Sequence, residues 1–321
     1  MKELFIDKKK KMNVQNIRES RGKRKRTLIY SLTNRGFLSE LNNLLLGILY
    51  SDQMRMDFKL NTSTWSSKFR SGWTDYFYPF CDEITKPKFF IPHKYSNYST
   101  IGNRDLPVYY LSKIVNPRRY LIQDVWQKMR NDDFVNTHFL CTSSDKYNGI
   151  LSAKRKTLYD NVILKQNVVD YLKENEIVNS IKPFAGIHIR RGDKVLGGTK
   201  EANAIRIAEY IELIEKNDRN IENLFVATDD YSCIEDISNT FKQFNIFTFC
   251  EPNKKGYKNI TFIKSNSNEK KKEIFSLFLD LYHLCESDIF VGTYSSNIGR
   301  FVALYRNLKQ SFSVDRNWNP F

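Results

Sequence analysis

A chain of 321 residues, 41% hydrophobic and 27% charged, is long enough for two ordinary domains and too apolar to be disordered. Its formal net charge of +15 favours anionic partners, whether nucleic acid, an anionic membrane or a phosphate-bearing small molecule, without choosing among them. The five cysteines (Cys81, Cys141, Cys233, Cys250, Cys285) are odd in number, widely spaced and free of any CxxC pair, which argues against a disulfide scaffold and a zinc site. No run is long and apolar enough to span a membrane, and the start lacks a secretory h-region. A soluble, cytoplasmic protein is therefore expected.

Residues 1–26 read as a basic, solvated arm, with Lys/Arg runs at 8–11 and 21–26. A nucleic-acid arm or an anionic-surface tether is the sharper alternative for it. Residues 27–32, TLIYSL, suit a first strand. They lead through Asn34-Arg35-Gly36-Phe37 into a helix with Leu41, Leu44, Leu45 and Ile48 on one face. Such a glycine turn at a helix start can meet phosphate, although a plain strand-to-helix turn explains it equally well. Residues 62–148 hold Trp65, Trp73, Tyr76, Phe77 and Trp126 among many aromatics, a pattern more typical of core than of sugar platforms. Short strands and a helix near 122–129 fit there, and residues 154–175 read as one helix. A polar stretch ending at Pro183 marks a boundary. It separates an N-terminal α/β lobe, 27–180, from a C-terminal lobe, 181–321.

The second lobe alternates. Strands are expected at 185–190, 224–228, 246–249 and 288–293. Helices are expected near 202–215, 236–241, 269–285 and 295–308. That order implies a parallel, doubly wound sheet. Three strand ends carry polar groups: His188 to Lys194, Asp229-Asp230 after Thr228, and Ser295-Ser296-Asn297 after Tyr294. On parallel strands these ends share one sheet edge, where α/β proteins bind ligands. Arg190 and Arg191 offer guanidinium forks that match phosphate oxygens. A surface turn with an Arg191–Asp193 ion pair is the plain reading, and helix caps are the plain reading for Asp229, Asp230, Ser295 and Ser296. Neither GxxxxGK[ST] nor GxGxxG occurs, and the four histidines are scattered, so no metal site is indicated.

The stretch GIHIRRGDK resembles the HxRRxDK motif of the α-1,6-fucosyltransferase family. LFVATDD and FLDLYHLCESDIFVGTYSSNIGR resemble its second and third motifs, and NRGFLSELNNLL resembles the glycine turn of the wider fucosyltransferase group. The resemblance covers residues 183–305 well and the first half only at that turn. It implies a two-lobed GT-B-type α/β fold whose C-terminal lobe is a Rossmann-like parallel sheet. It implies GDP-fucose as donor, a glycan or glycoconjugate acceptor, no metal or other cofactor, no nucleic-acid partner, and inversion at the anomeric carbon. Carried over by position, Arg190 would hold the β-phosphate, His188 the nucleoside part, and Asp280 the guanine or ribose. Ser295, Ser296 and Asn297 would approach the diphosphate, with Gly36 and Phe37 closing on it from the other lobe. Asp229 joins this donor set. Arg191, Asp193 and Lys194 would order the motif, with Asp193 a candidate for acceptor contact.

The family's proposed base is a glutamate four residues past the motif lysine, and that position is Gly198 here. Glu201, three residues later, and Asp193 are the alternatives for the proton-accepting carboxylate. The family's membrane anchor, stem and SH3-like module have no counterpart in this reading, so core N-glycan specificity is not implied. Rival readings are a protein O-fucosyltransferase, a transferase of another nucleotide sugar, or a basic nucleic-acid-binding protein using the arm and the aromatic-rich first half.

Overall fold

A computed structural model describes residues 26–87, 97–139, 147–192 and 205–321. The chain divides into two α/β units. The N-terminal unit runs to Val169 and includes Asn266–Lys271 and Pro320–Phe321; the C-terminal unit comprises Asp170–Ser265 and Lys272–Asn319.

The N-terminal unit is built on a four-stranded parallel sheet in the order β3-β2-β1-β4, with β1 Thr27–Ser31, β2 Asp57–Asn61, β3 Asp82–Ile84 and β4 Arg119–Leu121. Helix α1, Phe37–Gln53, follows β1, and α2, Leu106–Val115, precedes β4. The leucine spacing in α1 predicts one apolar face, yet the helix is buried almost all round, with Asn42, Asn43 and Glu40 inside as well as Leu44, Leu45 and Leu46. Burial on every side is the mark of a core helix. Tyr30 lies across it so closely that a Cβ at Gly47 would collide with the ring. The aromatic-rich segment is core, as its composition predicts. Phe37 packs at 5.5 Å from both Trp65 and Tyr76, and Trp73 stacks on Phe77 at 4.2 Å.

The helix expected over 154–175 is two: α3, Asn148–Asn161, and α4, Gln166–Asn175. Between them Leu164 forms an antiparallel bridge with Phe77; Tyr78 donates to the Ile163 carbonyl and Lys165 to that of Tyr76. β-branched Val162 and Ile163 favour this extended pairing over a continuous helix.

The C-terminal unit carries a five-stranded, wholly parallel sheet in the order β7-β6-β5-β8-β9, as the alternation of elements implies. Its strands are β5 Phe184–Ile189, β6 Asn223–Thr228, β7 Asn245–Phe247, β8 Ile289–Gly292 and β9 Ser311–Ser313. The longer helices packed with this sheet are α5 Ile207–Asn217, α6 Ser232–Thr240, α7 Ser267–Glu286, whose first turn groups with the N-terminal unit, and α8 Asn297–Tyr305. On one face of the sheet Ala185, Ile187 and Ile189 of β5 pack with Tyr210, Ile211 and Ile214 of α5 and Cys233, Ile234 and Ile237 of α6. On the other, Gly186 fits against Leu284 and Ser287, and Phe225 stacks on His283 at 4.7 Å. β-strand alternation thus assigns His188 to the α7 face.

Candidate functional site

In the order β7-β6-β5-β8-β9 the chain leaves β5 towards β6 and later returns on its opposite side as β8. The carboxyl ends of β5 and β8 therefore flank the topological switch point, the usual crevice for ligands in such sheets. The β5 exit is Arg190-Arg191-Gly192 and the β8 exit is Thr293 to Ser296. Because the register is parallel, with Ile189 opposite Thr228, the β6 exit at Asp229 lies on the same edge.

Asp229 fixes this edge. Its Oδ1 accepts from the Arg191 N–H at 2.7 Å, and its Oδ2 from the N–H groups of Gly192 at 3.0 Å and Tyr257 at 3.1 Å. The Gly256 N–H donates to the Asp229 carbonyl. One carboxylate so joins the β5 exit to the 256–257 turn, where Gly256 takes φ +84°. The contact is too close for a side chain at Gly192, whose Cβ would collide with the Tyr257 carbonyl oxygen. Asp229 thus ties the two loops together, with both oxygens accepting from backbone donors. Asp230 accepts from the N–H and hydroxyl of Ser232 and shapes the start of α6.

The adjacent arginines part ways. The Arg191 guanidinium turns back to the Ile205 carbonyl at 2.8 Å, an ordering role. Arg190 stands half-buried with its guanidinium carbon 5.7 Å from the centre of the Tyr257 ring. His188 is buried, and its Nδ1 has no hydrogen-bond partner among the described residues. Burial, then the Arg190 charge, push its pKa down to about 4 against a smaller opposing effect of Asp229, so the imidazole is neutral at physiological pH. On α7, Asp280 has an enclosed Oδ1 with no partner among the described residues. Burial, reinforced by Glu273 and opposed by Lys254, raises its pKa to about 7.

At the β8 exit, Ser296 caps α8, its hydroxyl accepting from the Ile298 N–H. Asn297 accepts from Arg300. Asp315 accepts from the N–H groups of Tyr294 and Ser295 and from the Ser313 hydroxyl. Burial works to raise the Asp315 pKa, but hydrogen bonds from Ser295, Ser313 and the backbone outweigh it and hold it below the usual range. In the N-terminal unit, Gly36 sits at the start of α1, and a Cβ there would meet nothing within 4 Å, so packing does not demand the glycine. Buried Glu40 holds the turn by accepting from the Thr33 N–H at 3.1 Å and its hydroxyl at 2.5 Å. The Phe37 ring is buried in the aromatic core, so only the backbone of Phe37 is open to the side of the turn. Asp193, Lys194, Gly198 and Glu201 lie outside the described residues.

Tyr257 and Asp315 escape a reading of the sequence. The glycine before Tyr257 is a local turn signal, whereas Asp315 sits beyond the last helix and carries no local mark.

Two parallel α/β sheets, the second with a basic strand exit at its switch point, make up a fold of GT-B type. The rhizobial enzyme NodZ, described as an alpha-1,6-fucosyltransferase soaked with GDP-fucose, superposes with a TM-score of 0.53 at 12% identity, over 88% of this chain and 93% of that one. A further NodZ structure, from Bradyrhizobium, gives 0.51 at 11% identity over 87% and 92%. A GDP complex of a mutant of Arabidopsis thaliana FUT1 gives 0.52 at 9% identity over 97% of this chain and 76% of that one. Residues 25–318 match the family described as alpha-(1,6)-fucosyltransferase N- and catalytic domains, and the chain belongs to that family. An alpha-(1,6)-fucosyltransferase of Drosophila melanogaster is 29% identical over 127 residues, 37% of this chain and only 19% of the length of the fly protein.

Proposed function

We propose that this chain transfers fucose from GDP-fucose to a glycan hydroxyl, with inversion and without a metal. The observation that carries the reading is Arg190 at the switch point of the C-terminal sheet, on a strand exit clamped by Asp229, in a chain of the α-(1,6)-fucosyltransferase family. GDP departs with growing negative charge on its terminal phosphate, and a guanidinium held in place before the reaction stabilises that charge without reorganising. Neutral His188 offers its unpartnered Nδ1 as a hydrogen-bonding group for the nucleoside end rather than as a second cation. Asp280 offers an acceptor for the N–H donors of guanine. The acceptor hydroxyl attacks the anomeric carbon from the face opposite GDP, and its proton passes to a carboxylate, with Asp193 and Glu201 the candidates.

A thermal-shift panel of GDP, GDP-fucose, UDP and ADP tests the donor, since a ligand that binds only the folded state raises its stability. A selective response to the guanine nucleotides, removed by Arg190→Ala, is expected. A response to UDP but not to GDP would sink the assignment. Transfer that persists in excess chelator, and a product of inverted anomeric configuration by NMR, are the expected outcomes for metal independence and stereochemistry.

A further inference from the structure

The N-terminal sheet has a switch point of its own. In the order β3-β2-β1-β4 the chain moves from β1 to β2 on one side and returns as β4 on the other. The segments leaving the carboxyl ends of β1 and β4 therefore flank a crevice of the kind in which α/β sheets take ligands. Arg35 lies just beyond β1, and Trp126 and Arg130 lie beyond β4. The guanidinium carbons of Arg35 and Arg130 lie 4.7 and 4.8 Å from the centre of the same indole ring. Asn43 of α1 accepts a hydrogen bond from Arg130 and aims it.

Two like charges at one ring repel, and the mutual effect is felt: burial and then the Arg35 charge lower the pKa of Arg130. Glu40 and Tyr30 are among the ionisable groups that feel this pair. Glu40 accepts from Thr33 and from the Arg35 backbone, burial raising its pKa against these bonds and the Arg35 charge, and Tyr30 is wholly buried with a hydroxyl that has no partner among the described residues. Burial holds that phenol neutral, hence a donor. Beside Arg35, the place where a Cβ of Gly36 would stand is open. Paired planar cations at a switch point and free space beside the turn together match an oxyanion.

We propose that Arg35, Arg130 and Trp126 form an anion-binding subsite of the N-terminal unit that takes a carboxylate, sulfate or phosphate group of the acceptor. The transferase reading supplies the ligand's source, while the subsite itself stands on this unit alone. The acceptor of this chain is then an acidic or esterified saccharide rather than a neutral one.

The test uses the full chain carrying Arg190→Ala, so that the proposed donor site does not contribute, at constant ionic strength. Thermal shift and calorimetry are run with inorganic sulfate, glucuronic acid, glucose 6-phosphate and glucose. Saturable binding of the charged probes but not of glucose is expected. Arg130→Gln should weaken it by at least about tenfold, the loss of one charge-assisted pair. Arg35→Gln should act likewise, and Arg35→Lys should restore part of it while keeping the fold. A preference for glucuronic acid over glucose 6-phosphate assigns a uronic acid, and the reverse a phosphate ester. Absence of saturable anion binding, or its survival in both Gln variants, would overturn the proposal. So would loss of GDP binding when Arg130→Gln is placed in the otherwise native chain, which would give the pair to the donor. Failure of the native chain to bind GDP, with anion binding intact, would remove the transferase reading and leave the subsite.

Discussion

At the scale of single residues, two buried groups carry opposite pH signatures. Asp280 has its pKa raised to about 7 by burial, against about 3.9 in an unfolded chain. A raised carboxyl contributes stability fully present below the unfolded value and lost as pH rises through the folded one. Asp280→Asn is therefore expected to raise the thermal midpoint most at pH 7 and above, with an advantage that shrinks steadily as the pH is lowered towards 4. A difference independent of pH would show that Asp280 does not titrate. Guanine donors favour the ionised form, so GDP affinity should fall below pH 7 by up to about tenfold per pH unit. Titration calorimetry should find that dependence flattened, and affinity lowered, in Asp280→Asn. His188 runs the other way. Its pKa falls to about 4 from about 6.5 unfolded; its contribution is complete above the unfolded value and is lost as pH drops towards 4. His188→Asn should remove that part of the acid sensitivity seen in denaturant melts between pH 6.5 and 4. The types of these residues were legible in the motif; their partnerless atoms were not, because burial arises from strands and helices far apart in sequence.

Among elements, the β5 exit illustrates how a strand end becomes a rigid platform. Asp229 satisfies three backbone N–H groups from two loops, and removing it strands donors whose desolvation costs about 1–3 kcal/mol each where buried. Asp229→Ala should lower both the denaturation midpoint and GDP affinity, without the side chain touching the nucleotide. Gly192→Ala forces a Cβ into the Tyr257 carbonyl and should cost about 1–3 kcal/mol by overpacking. Normal stability and normal GDP binding in Gly192→Ala would mean that the 256–257 turn yields freely. The charged run after Ile189 marked this strand end in the sequence as a candidate site beside the plain reading of a surface turn, whereas the clamp by Asp229 was not legible because its partners lie 28–38 residues away. The break between α3 and α4 was hidden: the residues suit a helix locally, and only the bridge from Leu164 to distant Phe77 decides against it.

For the molecule as a whole, the second half was readable because strand and helix alternate at regular length, which in a parallel sheet leaves little topological choice. The first half was less so. Its β3 and β4 are three residues each, too short for periodicity to register, and the Arg35–Trp126–Arg130 cluster joins strand exits that sequence order keeps apart. The net charge of +15 permits polyanion binding. Removal of residues 1–25 should leave GDP binding unchanged in calorimetry; steep salt-dependent binding of nucleic acid that vanishes with those residues would favour the other class. The Arg191 side chain, meanwhile, donates to the Ile205 carbonyl just ahead of α5. Through that bond the end of a central strand and the approach to a surface helix share one anchor. A disturbance at either is therefore passed to the other, and replacing Arg191 with a residue that cannot donate should loosen both together.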